Sequence, residues 1–207
     1  MSIKVVWKSA DGSFSSGIGL KLPDAVKVYM AARTALAGSR TAQEILKYVD
    51  GHATEIQLVV CPGAEGEMLF PGELQGLNTP TVIWDPNKYF LFYSNVAKVH
   101  NVVYADLNSY QPAIVLIHEL GHAKQWLSNP AQHEARFKRG PEGIAEIEAE
   151  NLAIHEGPVA QELGLPVRKH YKHFPNSGEI PSSVKLLHEA TVGPNDVVTK
   201  GARNKLT

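Results

Sequence analysis

The sequence predicts an α+β fold in which a small, mostly antiparallel sheet packs against two long helices. Three observations predict it. Residues 55–107 carry short runs rich in Val, Ile, Tyr and Thr, separated by Pro62-Gly63, Pro71-Gly72 and Asp85-Pro86-Asn87, which is turn chemistry. The stretches on either side carry helix caps and helical spacing. The run Ala113-Ile114-Val115-Leu116-Ile117 is apolar throughout, which places the helix containing it in the core.

Taken in order, residues 3–7 read as a strand and Asp11-Gly12-Ser13 as a turn. Asp24 is placed to cap a helix over about 25–37 that ends near Gly38. Thr41-Ala42-Gln43-Glu44 has the pattern of a capping box, opening a second helix that stops at Asp50-Gly51. Strands follow at Glu55–Cys61, Thr79–Trp84 and Asn101–Ala105. Asn108 or Ser109 can cap a helix entered through Pro112 and running over about 112–127, up to Asn129-Pro130. Another long helix is expected over about 142–156, broken at Gly157-Pro158 or restarted as a short turn to Gly164. After Pro175 the pattern fades. The expected organisation is one domain over 1–175 and a partly mobile extension over 176–207, basic at Lys200, Arg203 and Lys205.

With 207 residues, 43% of them hydrophobic and 20% charged, the chain has the composition of a globular protein able to bury a core. A net charge of −1 gives no ground for a nucleic-acid or membrane-surface partner. The lone Cys61 cannot form an internal disulfide and lies in the apolar run Leu58–Cys61, as a small buried hydrophobe would. Charge interrupts the N-terminus before a signal-like stretch develops, and no run approaches the ~20 apolar residues that span a bilayer. Synthesis in the cytoplasm without a signal peptide is expected.

His118-Glu119-Leu120-Gly121-His122 is an H-E-x-x-H sequence. Histidines four apart on a helix project from one face, so both imidazoles can reach one metal ion. The glutamate beside the first is then free to act as a base toward a metal-activated water. Two histidines and an acid within a core helix carry a desolvation cost that ligation would offset. Gly121 costs about 1 kcal/mol relative to alanine in a helix interior, so close approach of a substrate or another segment is expected there.

Catalytic zinc commonly has three protein ligands. Residues 123–128 contain no third histidine, and His133 stands beyond a helix break in a neighbourhood that looks solvated. The 142–156 helix is the better source. Ile144, Glu148, Asn151, Leu152 and His155 share one face at helical spacing, making Glu148 the leading third ligand, with Glu150 and His155 as alternates. Asn151 and His155 could also support the site from behind. Glu146 and Glu156 read as solvated helix charges.

The stretches Ile117–Ala123, Glu148–Leu152 and Gly164–Tyr171, with the upstream Thr81–Pro86, resemble the NleD-like family of bacterial effector zinc peptidases and related toxin modules of type VI and contact-dependent delivery systems. The likeness covers about residues 25–171. It implies a zincin-like fold and a gluzincin-type site with one zinc per chain, held by two histidines and a later glutamate. It also implies proteolysis of another cell's protein, with Arg168 and Tyr171 placed to stabilise the oxyanion. A delivery-system protein and a cognate immunity protein would be the further partners. Two other readings stay open: a zinc amidase acting on cell-wall peptides, and a zinc-stabilised binding module with a fourth ligand such as His155.

Overall fold

The computed structural model describes residues 3–6, 22–64, 66–73, 76–99, 102–168, 173–174, 184–186 and 202–206. Strand β1 (Ile3–Val6) leads to α1 (Leu22–Ala35) and α2 (Arg40–Gly51). With Pro23 tolerated in its first turn, α1 opens at Leu22, and Asp24 lies inside that turn instead of capping it. The cap of α2 also falls earlier than Thr41. Ser39 is the N-cap, accepting from Ala42 N at 3.0 Å and donating to Glu162 at 2.5 Å. Glu162 also accepts from Thr41 N at 2.9 Å. A distant carboxylate thus serves the exposed N–H groups, while Glu44 pairs with Arg40.

The central strands form two sheets rather than one mostly antiparallel sheet. The first has the order β1-β2-β4-β3, with β2 Ile56–Val60, β3 Glu67–Leu69 and β4 Thr81–Trp84. β1, β2 and β4 run parallel, and only the edge strand β3 is antiparallel. The physical reason is the connection: α1 and α2 form a crossover between β1 and β2, and a helical crossover joins parallel neighbours. The run Ile56–Val60 is almost continuously buried, as an inner parallel strand should be.

The second sheet has the order β7-β5-β6-β9-β8, and each of its pairings is antiparallel. Its frame is the long hairpin of β5 (Phe90–Val99) and β6 (Val102–Tyr110), so Asn108 and Ser109 belong to a strand instead of a helix cap. β7 (His173–Phe174) follows the helices, and β8 (Val184–Leu186) and β9 (Ala202–Leu206) bring part of the expected C-terminal extension back to β6.

Helix α3 (Pro112–Ser128) is buried without interruption from Ala113 to Ala123. Trp84 Nε1 donates to Pro112 O at 2.8 Å, tying its start to the parallel sheet. Asn129 then caps α4 (Pro130–Phe137) through its side chain, where the sequence suggested a break and a solvated stretch. Helix α5 (Pro141–Asn151) packs back on α4, and Gly143 makes that possible: a Cβ there would lie 1.8 Å from Arg136 O. Arg136–Glu150 and Arg139–Glu146 ion pairs join the two helices. The chain continues through a π-helical turn, Leu152–Glu156, into α6 (Gly157–Glu162). Gly157 N donates to Leu152 O, and this wider turn accepts the Pro158 ring without ending the helix. Among the described residues, no helix is long and apolar enough to cross a membrane.

Candidate metal centre

His118 and His122 lie one turn apart on α3, and α5 brings Glu148 to face both. His118 Nε2 and His122 Nε2 are 3.1 Å apart, and Glu148 oxygens stand 3.4 Å from the first and 3.3 Å from the second. The imidazoles meet edge-on, at 88°. All three residues are buried. Two bonds of about 2.0–2.1 Å at a tetrahedral angle put ligand atoms about 3.3 Å apart, so the triangle has the size one small divalent cation requires. Glu148 Oε2 is closed to solvent and lacks a hydrogen-bond partner. This buried group could hold a metal ion. Glu150 is turned toward Arg136 on α4.

The electrostatics describe three groups competing for protons in place of a cation. Burial presses His118 toward neutrality, but Glu148, Glu156 and Glu119 outweigh it and raise its pKa to about 10. Burial likewise disfavours ionised Glu148, yet the facing imidazoles of His118 and His122 bring it down to about 2. Glu119 is raised by burial, against the pull of the two histidines. A carboxyl shifted upward while beside cationic groups is suited to taking up and returning a proton.

The groups behind the ligands fix their orientation. Glu156 Oε2 is 2.7 Å from His118 Nδ1, and Arg168 grips the same carboxylate through Nε at 2.9 Å and Nη2 at 2.5 Å. Because the carboxylate can only accept, Nδ1 carries the proton and Nε2 is the atom presented to a metal. Asn151 Nδ2 donates to His118 O at 3.0 Å. On the other side, Gln125 Nε2 donates to Ile147 O at 3.1 Å, which leaves Gln125 Oε1 to accept from His122 Nδ1 at 3.0 Å. His122 Nε2 is thereby likewise the atom turned toward Glu148 and a metal. Both tautomers follow from backbone carbonyl and carboxylate acceptors.

Several sequence readings change. Glu156 is 1% exposed, so it is a buried partner of His118 instead of a solvated charge. Helical spacing hid this, because the π turn rotates residues 152–156 relative to a regular helix. Arg168 is buried on Glu156, with Nη2 3.4 Å from His118 Nδ1. His155 packs against α3, its Cδ2 3.0 Å from where a Gly121 Cβ would be, and stays outside the metal-holding group. The same glycine answers the expectation of close approach: the partner is α5, whose Asn151 Oδ1 lies 2.1 Å from that Cβ position. Tyr171 lies outside the described residues.

A cavity of about 150 Å³ opens onto His118, Glu119, His122 and Glu148. One wall is β3 with the preceding Gly66, where a Cβ would come within 2.9 Å of Val115 and 3.3 Å of Glu119 Oε1. α4 and α5 add His133, Phe137 and Ile144 to the lining. His133, set aside from sequence as solvated, is 5% exposed and stacks on Phe70 with ring centroids 4.5 Å apart. A larger groove of about 910 Å³ shares Ile144 and Glu148 and follows α5 and α6 outward. No family model, curated protein or solved structure matches the chain.

Proposed function

We propose that the chain is a zinc-dependent peptidase of the gluzincin type on a zincin-like fold, with His118, His122 and Glu148 holding the ion and Glu119 as general base. The observation that carries this reading is the ligand triangle with edges of 3.1, 3.3 and 3.4 Å, built on the helix that also presents Glu119 to the cavity. Two imidazoles and one carboxylate suit zinc, and three protein ligands leave a position open for chemistry. Among the described residues no fourth ligand joins them, which favours a catalytic centre over a closed structural one.

Zinc bound there would polarise the scissile carbonyl and acidify a water to a pKa of about 7. The chain's own residues supply the rest. Glu119 takes the proton of the attacking water and returns it to the leaving nitrogen. Glu156, Arg168 and Gln125 hold the two imidazoles in the required tautomers. Among the described residues β3 is the edge strand of its sheet and borders the cavity, so an extended peptide can add beside it and lie across the cavity. This edge supports a peptide over other acyl substrates. The likeness to NleD-like peptidases extends the proposal to a bacterial effector or toxin acting on another cell's protein.

The test is to load the purified chain with zinc and follow cleavage of a protein and peptide library beside digestion of peptidoglycan. Glu119→Gln should keep one zinc per chain and lose about 10²–10⁴-fold in rate. Absence of zinc binding, or hydrolysis undiminished in Glu119→Gln, would sink the reading. Release of cell-wall peptides without protein cleavage would redirect it to an amidase.

A further inference from the structure

Of the titratable groups lining the cavity, the proposed chemistry leaves exposed Glu67 and buried His133 unused, and the buried one needs an account. His133 lines it together with His118, Glu119, His122 and Glu148. Its ring is buried, and Nε2 has no hydrogen-bond partner. A buried, unpartnered ring nitrogen costs on the order of 1–3 kcal/mol, so its retention calls for a reason.

The surroundings are built to hold this ring in place. Asn129 and Pro130 set the start of α4 directly after α3, and His133 N donates to Asn129 O at 3.0 Å. Phe70, just beyond β3, covers one side of the ring, and Trp126 of α3 lies against Phe70 in turn. The Arg136–Glu150 pair then anchors α4 to the helix that carries Glu148. His133 therefore has a fixed distance from α3 and from α5, the two sources of the metal ligands. Groups facing it include His122 of α3, Arg136 of its own helix and Glu150 of α5; burial, with the first two, favours its neutral form. A neutral imidazole can donate one hydrogen bond and accept another without repelling a divalent cation.

We propose that His133 is a further catalytic residue, hydrogen-bonding the reacting carbonyl group of a substrate held in this cavity. The inference rests on the hydrolytic reading of the same site and adds a residue from α4. Its place eleven residues past His122 follows no short ligand spacing, so only the fold brings it to the cavity.

The experiment uses the full zinc-loaded chain and two variants. His133→Phe keeps an aromatic ring against Phe70 and removes the hydrogen bond; His133→Gln restores a polar donor. Acetohydroxamate, a zinc-chelating analogue of an amide, serves as the probe, alongside turnover of a cleaved peptide. Zinc content should be unchanged in both variants. His133→Phe should bind acetohydroxamate about tenfold more weakly and lose about 10²-fold in kcat with little change in KM, and His133→Gln should recover part of each. Equal probe affinity in wild type and His133→Phe, with zinc retained, overturns the proposal and leaves the peptidase reading intact. Weaker probe binding in His133→Phe, in a wild type that hydrolyses no peptide, supports the contact and rejects the peptidase reading.

Discussion

Glu156 Oε2 lies 2.7 Å from His118 Nδ1, and both side chains are almost fully enclosed. The contact couples a candidate metal ligand to a residue 38 positions away through the π-helical turn, and Arg168 closes the chain from behind. A side chain held in this way has one ring orientation before any ion arrives, and Nε2 is the nitrogen that gives up its proton when a metal binds. Both carboxylates around His118 also make its proton the main competitor of the cation.

Glu156→Gln keeps the shape of the side chain and removes its charge. Such partners of metal-binding histidines are worth about 10–100-fold in metal affinity, and a loss of that size is expected here. Arg168→Met should be more damaging to the fold, because it leaves the Glu156 charge buried with only His118 opposite. Breaking a buried pair from one side costs about 3–5 kcal/mol. Chelator competition reads the first effect and urea denaturation of the metal-free chain the second. Metal affinity unchanged in Glu156→Gln would show that His118 is oriented by Asn151 and packing alone.

Metal binding should be strongly pH-dependent. In the metal-free chain His118 is raised from 6.5 to about 10, so its contribution to stability is complete below pH 6.5 and is lost as pH rises through about 10. Glu148 is lowered from 4.5 to about 2, so its contribution is complete above pH 4.5 and is lost as pH falls toward 2. The metal-free chain thus draws on both groups together between about pH 4.5 and 6.5. Zinc must displace the His118 proton, so affinity should rise with pH until His118 is neutral. Titration calorimetry in buffers of different ionisation enthalpy should register about one proton released per zinc near pH 7. Binding without proton release would contradict the charged state of His118.

Gly121→Ala tests the crossing of α3 and α5. The added methyl would meet Asn151 Oδ1 at 2.1 Å and His155 Cδ2 at 3.0 Å, and α5 must give way. Overpacking of this kind costs about 1–3 kcal/mol, which exceeds the ~1 kcal/mol that alanine gains in helix propensity. Because Asn151 also holds His118 O, the variant should lose zinc affinity along with stability. A more stable Gly121→Ala with normal zinc affinity would mean that the helices part without effect on the site.

Much of the site was legible because helical spacing alone brings His118 and His122 to one face, and because the Glu148 face mixes polar and apolar residues on one side of α5. The end of α2 at Gly51, and the start of α3 at Pro112 and its stop before Pro130, followed from glycine and proline chemistry. Glu156 was illegible for a geometric reason: a π turn shifts every later residue off the 3.6-residue period. The parallel sheet was hidden because strand direction depends on the α1–α2 crossover, which joins elements about fifty residues apart. His133 looked solvated beside Glu134 and Arg136, but on α4 its ring is buried against Phe70, a long-range contact no local pattern records.

Gln125 offers a test of the second ligand that leaves the first untouched. It is a relay: its amide nitrogen donates to Ile147 O on α5, and its oxygen accepts from His122 Nδ1. Gln125→Leu removes both contacts, leaving the N–H of buried His122 and a backbone carbonyl without their partners. Zinc affinity should fall about 10-fold, at the lower end of such effects, because Gln125 is a neutral acceptor where Glu156 is a charged one. Gln125→Glu should retain or raise affinity, since a carboxylate accepts from His122 Nδ1 at least as well, but it forfeits the bond to Ile147 O and costs stability of about 1–3 kcal/mol. Chelator competition and thermal unfolding of the two variants separate these effects. If Gln125→Leu and Gln125→Glu shift zinc affinity equally, His122 takes its orientation from the helix and not from this relay.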